Sequence, residues 1–390
     1  MSSQKPSFFH RISKSSNKFD TKPKTSSTIS KENTVGSSIL TPNGSEYETS
    51  AREKRTRLFQ GILSERVVNL EKLKSLSWAG VPDQFRADVW RLFLDYMPIN
   101  SVNRDSSLSH KRSDYFDCAE RLFGESQRNL WTNAQKQTEL QILRDLPRTH
   151  INILRNEQVQ KLFLRVLFVW AVRHPASGYV QGMNDLLQPF FFTFALSYSQ
   201  HKNIDEFVLL NELDVSDDDM KSVEADCFWC FSKLLDGLQD LYTKDQPGLY
   251  KMLEHLHQVL LKVDPVLAKW IDDEDIQYQE FAFRWMNCLL VREFSPQVLF
   301  RLWDTYLGNH TKIAQTHVFV CAAFLNLLHQ RLVGKPHSEF VMEIQMIEPN
   351  TWQMTDMEVI LAQEYVYEKT YCQSQQSIMK TSASMPILKR

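Results

Sequence analysis

Two short segments carry residue types that could do chemistry. The first, Gln141–Thr149, reads QILRDLPRT and places Ile142, Asp145 and Arg148 at i, i+3 and i+6. On a helix this spacing puts the three on one face, with the Asp145 carboxylate one turn before the Arg148 guanidinium. Pro147 disfavours a helix interior. The segment is therefore expected at a turn or a helix end, with Arg148 free to project. The second, Gly178–Leu186, reads GYVQGMNDL and carries Tyr179, Gln181, Asn184 and Asp185 just ahead of a very apolar stretch. Polar groups clustered there point to a polar pocket at the N-terminus of a buried helix. Taken alone, both segments also admit a structural account. Arg148 could simply bridge to Asp145, Gln181 could cap the following helix, and Tyr179 could belong to the core.

The elements that must position these residues read as helices. The 390-residue chain has 43% apolar residues but only 11 glycines and 14 prolines, few for an all-β protein with a turn every ten residues or so. Val159, Leu162, Phe163, Val166, Leu167 and Trp170 recur at helical spacing within Gln158–Val172. Similar stretches are Asp83–Tyr96, Phe281–Arg292, Val298–Leu307 and Val318–Leu332. The run Leu186–Tyr198 is too short for a bilayer, which takes about 20 residues, and reads as a buried core helix. No period-two alternation stands out. The expected fold is all-α. Residues 1–50, rich in Ser, Thr and Lys, are expected to form a disordered tail. A lead-in helix is expected over 51–75, a main domain over 76–310, a helical continuation of it over 311–370, and a frayed tail over 371–390.

Composition excludes several functions. The formal net charge is -2, which argues against a basic nucleic-acid binder. There is no G-x-x-x-x-G-K-[ST] phosphate loop, no H-E-x-x-H and no G-x-S-x-G. The six cysteines are scattered in apolar surroundings and read as reduced thiols in a cytoplasmic chain. Cys227 and Cys230 form a C-x-x-C without a second pair for zinc, so core packing is the expected role. The start of the chain carries no secretory signal.

The segments I-x-x-D-x-x-R, ending at Arg148, and Y-x-Q, ending at Gln181, resemble the paired signatures of the TBC-domain Rab GTPase-activating proteins. Other motifs of that family are matched in order. They are Trp78-Ala79-Gly80-Val81-Pro82 with Arg86 and Trp90, Glu224-Ala225-Asp226 with Phe228-Trp229-Cys230, Phe283-Arg284-Trp285 with Arg292-Glu293-Phe294, and Leu302-Trp303-Asp304-Thr305-Tyr306. The stretch Trp170–Leu186 is most similar to the Golgi-associated subgroup that includes the yeast Ypt GAP and its animal relatives.

The resemblance implies two helical subdomains with a cleft between them. It also implies an arginine finger at Arg148 and a glutamine finger at Gln181, both lent in trans to a Rab/Ypt-type GTPase in its GTP form. Asp145 is expected to orient Arg148 through a charge-assisted hydrogen bond. Tyr179, Asn184 and Asp185 are expected to shape the pocket around Gln181. The protein would have no cofactor of its own, since GTP and Mg²⁺ would be bound by the partner, and it would catalyse no reaction alone. The resemblance further implies a cytoplasmic protein, peripheral at the Golgi or endomembranes, with Golgi adaptors as further partners and no transmembrane segment. Retention of both finger residues favours an active GTPase activator over a binding module that has lost them. Trp78, Trp90, Trp285 and Trp303 are expected in packing, Arg86 and Arg284 in buried pairs, and Asp304 as a helix brace. The run Thr149-His150-Ile151 departs from the family pattern, in which a proline often follows the arginine, and bears on substrate preference.

Overall fold

A computed structural model describes residues 44–383, apart from 149, 150 and 244, with side chains over 51–371. Among these residues the structure is helical, with one isolated antiparallel bridge between Val67 and Asn100. In chain order the helices begin with α1 (Gly44–Leu63), α2 (Leu70–Ser77), α3 (Asp83–Phe93), α4 (Arg104–Phe123), α5 (Asn133–Asp145) and α6 (Glu157–Arg173). They continue with α7 (Met183–Tyr198), α8 (Ile204–Phe207), α9 (Asp217–Asp236), α10 (Pro247–Val263), α11 (Pro265–Asp273) and α12 (Tyr278–Cys288). The last are α13 (Pro296–Gly308), α14 (Ile313–Leu327), α15 (His329–Leu332), α16 (His337–Gln345) and α17 (Met354–Ala383).

Local sequence explains many of the starts. Thr132 and Gln135 form a reciprocal capping box at α5. Asn156 caps α6, and Ser216 caps α9 ahead of three aspartates that face the positive end of the helix dipole. Helices α10, α11 and α13 each begin at a proline, whose missing N–H is no loss at that position.

Two helices are apolar on every side, and the rest assemble around them. Every residue of α7 from Met183 to Leu196 is buried, and α3, α6, α8, α9 and α12 pack on it. In α14 the run Thr316–Leu325 is continuously buried, and α10, α12, α13 and α17 pack on it. Helix α12 touches both centres, while α13 joins α14 to α2, α3 and α8. The N-terminus of α7, which carries the second chemical segment, thus lies where the two helical groups meet.

Several expectations are corrected. Residues 44–50, assigned to a disordered tail, are the first turns of α1; residues 1–43 lie outside the described residues. The single lead-in helix over 51–75 is two helices, because the backbone of Val68 turns away to bond the carbonyl of Ile99 at 3.0 Å and Asn69 then caps α2. The helix expected over Phe281–Arg292 stops at Cys288. Leu289 and Leu290 adopt left-handed φ values of 48° and 61° and turn the chain away. The stretch Val318–Leu332 breaks at Leu328 into α14 and α15. The tail expected to fray from 371 continues α17 as far as Ala383, and residues 384–390 lie outside the described residues. Trp90, Trp285 and Trp303 are fully buried, but Trp78 is half exposed and sits edge-on to Tyr365.

Candidate functional site

Arg148 sits just past the end of α5. Ile142 and Asp145 anchor the helix as buried residues. Leu146 closes its last turn, Pro147 stops it, and the Arg148 N–H donates back to the Asp145 carbonyl at 3.0 Å. The side chain projects, 60% exposed. Its guanidinium lies 3.7 Å from Asp145 Oδ1, an ion pair but too long for a hydrogen bond. The charge-assisted bond expected from Asp145 is therefore absent. Asp145 Oδ2 instead accepts the hydroxyl of Tyr179 at 3.1 Å. Thr149 and His150 lie outside the described residues.

Gln181 stands at the tip of a tight turn. The Met183 N–H donates to the Val180 carbonyl at 3.2 Å across Gln181 and Gly182. Gly182 has φ 104° and ψ −18°, as the third residue of a type II turn requires. A side chain there would be strained and would meet Asn287 Nδ2 at 2.3 Å. The Y-x-Q-G order is thus a geometric need as well as a signature. Gln181 itself is exposed, whereas Tyr179, Asn184 and Asp185 are buried.

Tyr179 ties the two segments together. Its oxygen lies 3.1 Å from Asp145 Oδ2 and 3.3 Å from Asn184 Oδ1. The carboxylate is the stronger acceptor and takes the single hydroxyl proton. Burial, and then the charge of Asp145, push the phenol well above its ordinary pKa, so it remains a donor. Asp145, three residues before Arg148, is therefore bonded to Tyr179, two residues before Gln181.

Asp185 supports the turn from below. It is 2% exposed and accepts from Arg292 Nε at 2.9 Å, Gln188 Nε2 at 3.0 Å and Cys288 Sγ at 3.4 Å. Burial raises its pKa above the ordinary carboxylate range, against the pull of Arg292. Sequence reading did not single out Gln188, Asn287 or Cys288 as supports. Arg292 appeared only as a motif letter, and the left-handed pair Leu289–Leu290 that swings it towards Asp185 had no sequence signal, since leucine rarely adopts that conformation.

The other motif residues hold the helices together. Asp304 Oδ2 accepts from the Val81 N–H at 2.7 Å, while Oδ1 accepts from Trp90 Nε1 at 2.7 Å and Arg86 Nε at 3.1 Å. It braces an incoming segment as well as α3. Arg86 is buried as expected, and it also pairs with Asp83. Arg284 grips Glu293 with two bonds of 2.8 and 3.0 Å, though its own side chain is 39% exposed. Asp226, fully buried, collects Arg91, Tyr96 and Arg112. Cys227 and Cys230 are free and buried, which fits core packing. Among the described residues no helix is long and apolar enough to cross a membrane, and no group of three or more His, Cys, Asp or Glu is placed to hold a metal.

The profile of the Rab-GTPase-TBC domain family matches residues 83–333. The GTPase-activating protein gyp1 of Schizosaccharomyces pombe is 35% identical over 335 residues, which span 83% of this chain and 63% of that protein. TBC1 domain family member 22B of Homo sapiens is 38% identical over 320 residues, spanning 81% of this chain and 62% of that protein. The match thus spans a little under two thirds of the length of these curated relatives. The crystal structure of the Ypt/Rab-GAP domain of Gyp1p, 36% identical, has a TM-score of 0.77 and covers 82% of this chain and 99% of its own. A Chlamydomonas flagellar RabGAP TBC domain, 18% identical with a TM-score of 0.54, shares the fold.

Proposed function

Since the chain belongs to the Rab-GTPase-TBC domain family, we propose that it accelerates GTP hydrolysis by a Rab-type small GTPase in its GTP form. Arg148 and Gln181 are the residues it lends. GTP and Mg²⁺ arrive with the partner, so the protein completes another chain's active site and needs no cofactor of its own. The transferring phosphoryl group gathers negative charge in the transition state, and the attacking water must be held in line. Arg148 offers a permanent charge and several donors to the phosphate oxygens. The Gln181 amide both donates and accepts, so it can hold a water against a backbone group.

One observation carries this reading. Both side chains are exposed, yet each is rooted a few residues from one buried bond, Tyr179 to Asp145. A bridge of that kind fixes their separation while leaving their ends free for a partner. Asp145, Tyr179, Asn184 and Asp185 are accordingly positioning residues. The site of action would be peripheral, at Golgi or other endomembranes reached through the Rab and adaptor proteins.

The test is single-turnover GTP hydrolysis across a panel of GTP-loaded Rab proteins. Wild type should accelerate at least one member. Arg148→Ala and Arg148→Lys should lose about 10³- to 10⁵-fold of that acceleration, the range for an arginine finger in trans. If Arg148→Ala accelerates as well as wild type, the assignment of the finger is wrong.

A further inference from the structure

The Gln181 turn hangs on a side chain from α12, the helix that touches both centres. Asn287, near the end of α12, donates its Nδ2 to the Gln181 carbonyl at 2.7 Å. Asn287 is 5% exposed. Its own carbonyl accepts from the Tyr242 hydroxyl at 2.8 Å, and its side-chain oxygen lies 3.5 Å from Gln246 Nε2. The donor is therefore held from two sides and aimed at one acceptor.

That acceptor matters because of the turn type. Type I and type II turns differ mainly in which way the central peptide faces. The central peptide here joins Gln181 to Gly182, and its carbonyl oxygen is the one that Asn287 takes. Gly182 permits the type II form, since its φ of 104° carries no steric cost for glycine. Permission is not selection, however: glycine is also tolerated in the flipped form, and the bond from Asn287 is what favours one. Flipping the peptide would reverse the Gln181 carbonyl, break its bond to Asn287 and release the turn that carries the glutamine from α12. The close approach shows the same fit, because a Cβ on Gly182 would sit 2.3 Å from Asn287 Nδ2 and 3.1 Å from Cys288 Sγ.

We infer that Asn287 is a positioning residue for the glutamine finger, selecting the turn conformation that presents Gln181 to the partner's water. This rests on the reading that Gln181 acts in trans. Binding of the GTPase is not its task, since the side chain is buried beneath the turn.

The experiment uses the full chain and the Rab most accelerated by wild type. Asn287→Ala and the isosteric Asn287→Asp, which sets an acceptor against the carbonyl, should lower the maximal hydrolysis rate by about 10- to 100-fold. The concentration giving half-maximal rate should stay within about twofold, because Arg148 and the outer surface are untouched. In a Gln181→Ala background the same Asn287→Ala change should cost less than about twofold, as expected of residues acting through one unit. Independently of any GTPase, Asn287→Ala should speed hydrogen exchange of the Met183 amide, the N–H that closes the turn. If Asn287→Ala fails to fold, Gly182→Ala attacks the same peptide from its other side and should give the same rate loss and the same silence in the Gln181→Ala background. Wild-type rates in a folded Asn287 or Gly182 variant, a full additional loss on top of Gln181→Ala, or unchanged Met183 exchange would each overturn the inference. A wild-type chain that accelerates no Rab would instead overturn the functional reading, with the exchange measurement still deciding whether Asn287 holds the turn.

Discussion

Removing the Arg292 side chain should leave Asp185 buried without its cation and make stability strongly dependent on pH. Arg292 Nε donates to Asp185 Oδ2 at 2.9 Å, and the carboxylate is 2% exposed. Breaking a buried ion pair by deleting one partner costs about 3–5 kcal/mol. Arg292 keeps 42% of its side chain exposed, so water can enter where it stood, and Gln188 and Cys288 remain. The expected cost is nearer that of one hydrogen bond to a charge, about 1.5–3 kcal/mol. At about 2 cal/mol/K per residue, a body of this length should melt roughly 2–4 °C lower. The Asp185 pKa is already raised in the folded state by burial, from an ordinary value of 3.8. A carboxyl with a raised folded pKa binds its proton more tightly when folded, so its charged form is a growing liability as pH rises. Losing Arg292 raises that pKa further. Arg292→Ala should therefore cost least at low pH, where Asp185 carries its proton, and progressively more as pH rises. Thermal melting of wild type, Arg292→Ala, Asp185→Asn and the double variant from pH 4.5 to 8.5 measures this. Asp185→Asn should make the arginine deletion almost silent. A loss in Arg292→Ala that does not vary with pH, or that persists undiminished in Asp185→Asn, would refute the reasoning.

Further outcomes are expected elsewhere. Tyr179→Phe removes the hydroxyl that donates to buried Asp145 and should cost about 1.5–3 kcal/mol in denaturant unfolding, together with a fall in GTPase activation from loosened fingers. Glu364 is 1% exposed with Oε2 unpartnered, and burial, then the charge of Glu368, lift its pKa from 4.5 to about 8. Stability should therefore decline as pH rises from about 4.5 to about 8, by at most about 5 kcal/mol at 1.4 per unit, and Glu364→Gln should flatten that slope. His317 is held neutral, accepting from the Tyr306 hydroxyl at 2.6 Å and donating from Nε2 to the Trp285 carbonyl at 3.0 Å. Burial lowers its pKa from 6.5 to about 4. Its contribution should be complete above 6.5 and lost as pH falls towards 4, and acid unfolding of His317→Gln should lack this component.

Much of the fold was legible because helices announce themselves by apolar spacing and caps. The run Leu186–Tyr198 reads as buried on all sides, and α7 is. The candidate finger positions were legible through motif spacing, with Pro147 marking the end of α5, but the turn at Gly182 was not anticipated. What escaped notice was decided by tertiary contact. Leu289 and Leu290 are ordinary helix formers, yet they leave α12 so that Arg292 and Glu293 can reach Asp185 and Arg284. The expected Asp145–Arg148 hydrogen bond gives way to a bond from Tyr179, a partner 34 positions away. No local pattern encodes a choice between two acceptable partners. Trp78 looked like core because tryptophans usually are, but its indole meets Tyr365 edge-on and stays half exposed.

Boundaries drawn by likeness and boundaries drawn by bonding do not coincide in this protein. The match to the family profile begins at residue 83. Upstream of that point, the Val81 N–H donates to Asp304, the Trp78 carbonyl accepts from Arg301, and the Leu76 carbonyl accepts from Arg55. Trimming the chain at residue 83 would strip Asp304 and Arg301 of partners more than two hundred positions away in sequence and uncover the face of α13 that carries both. A piece that keeps this packing must reach back to α2, which lies against α13, and a shorter one would leave α13 exposed along that side.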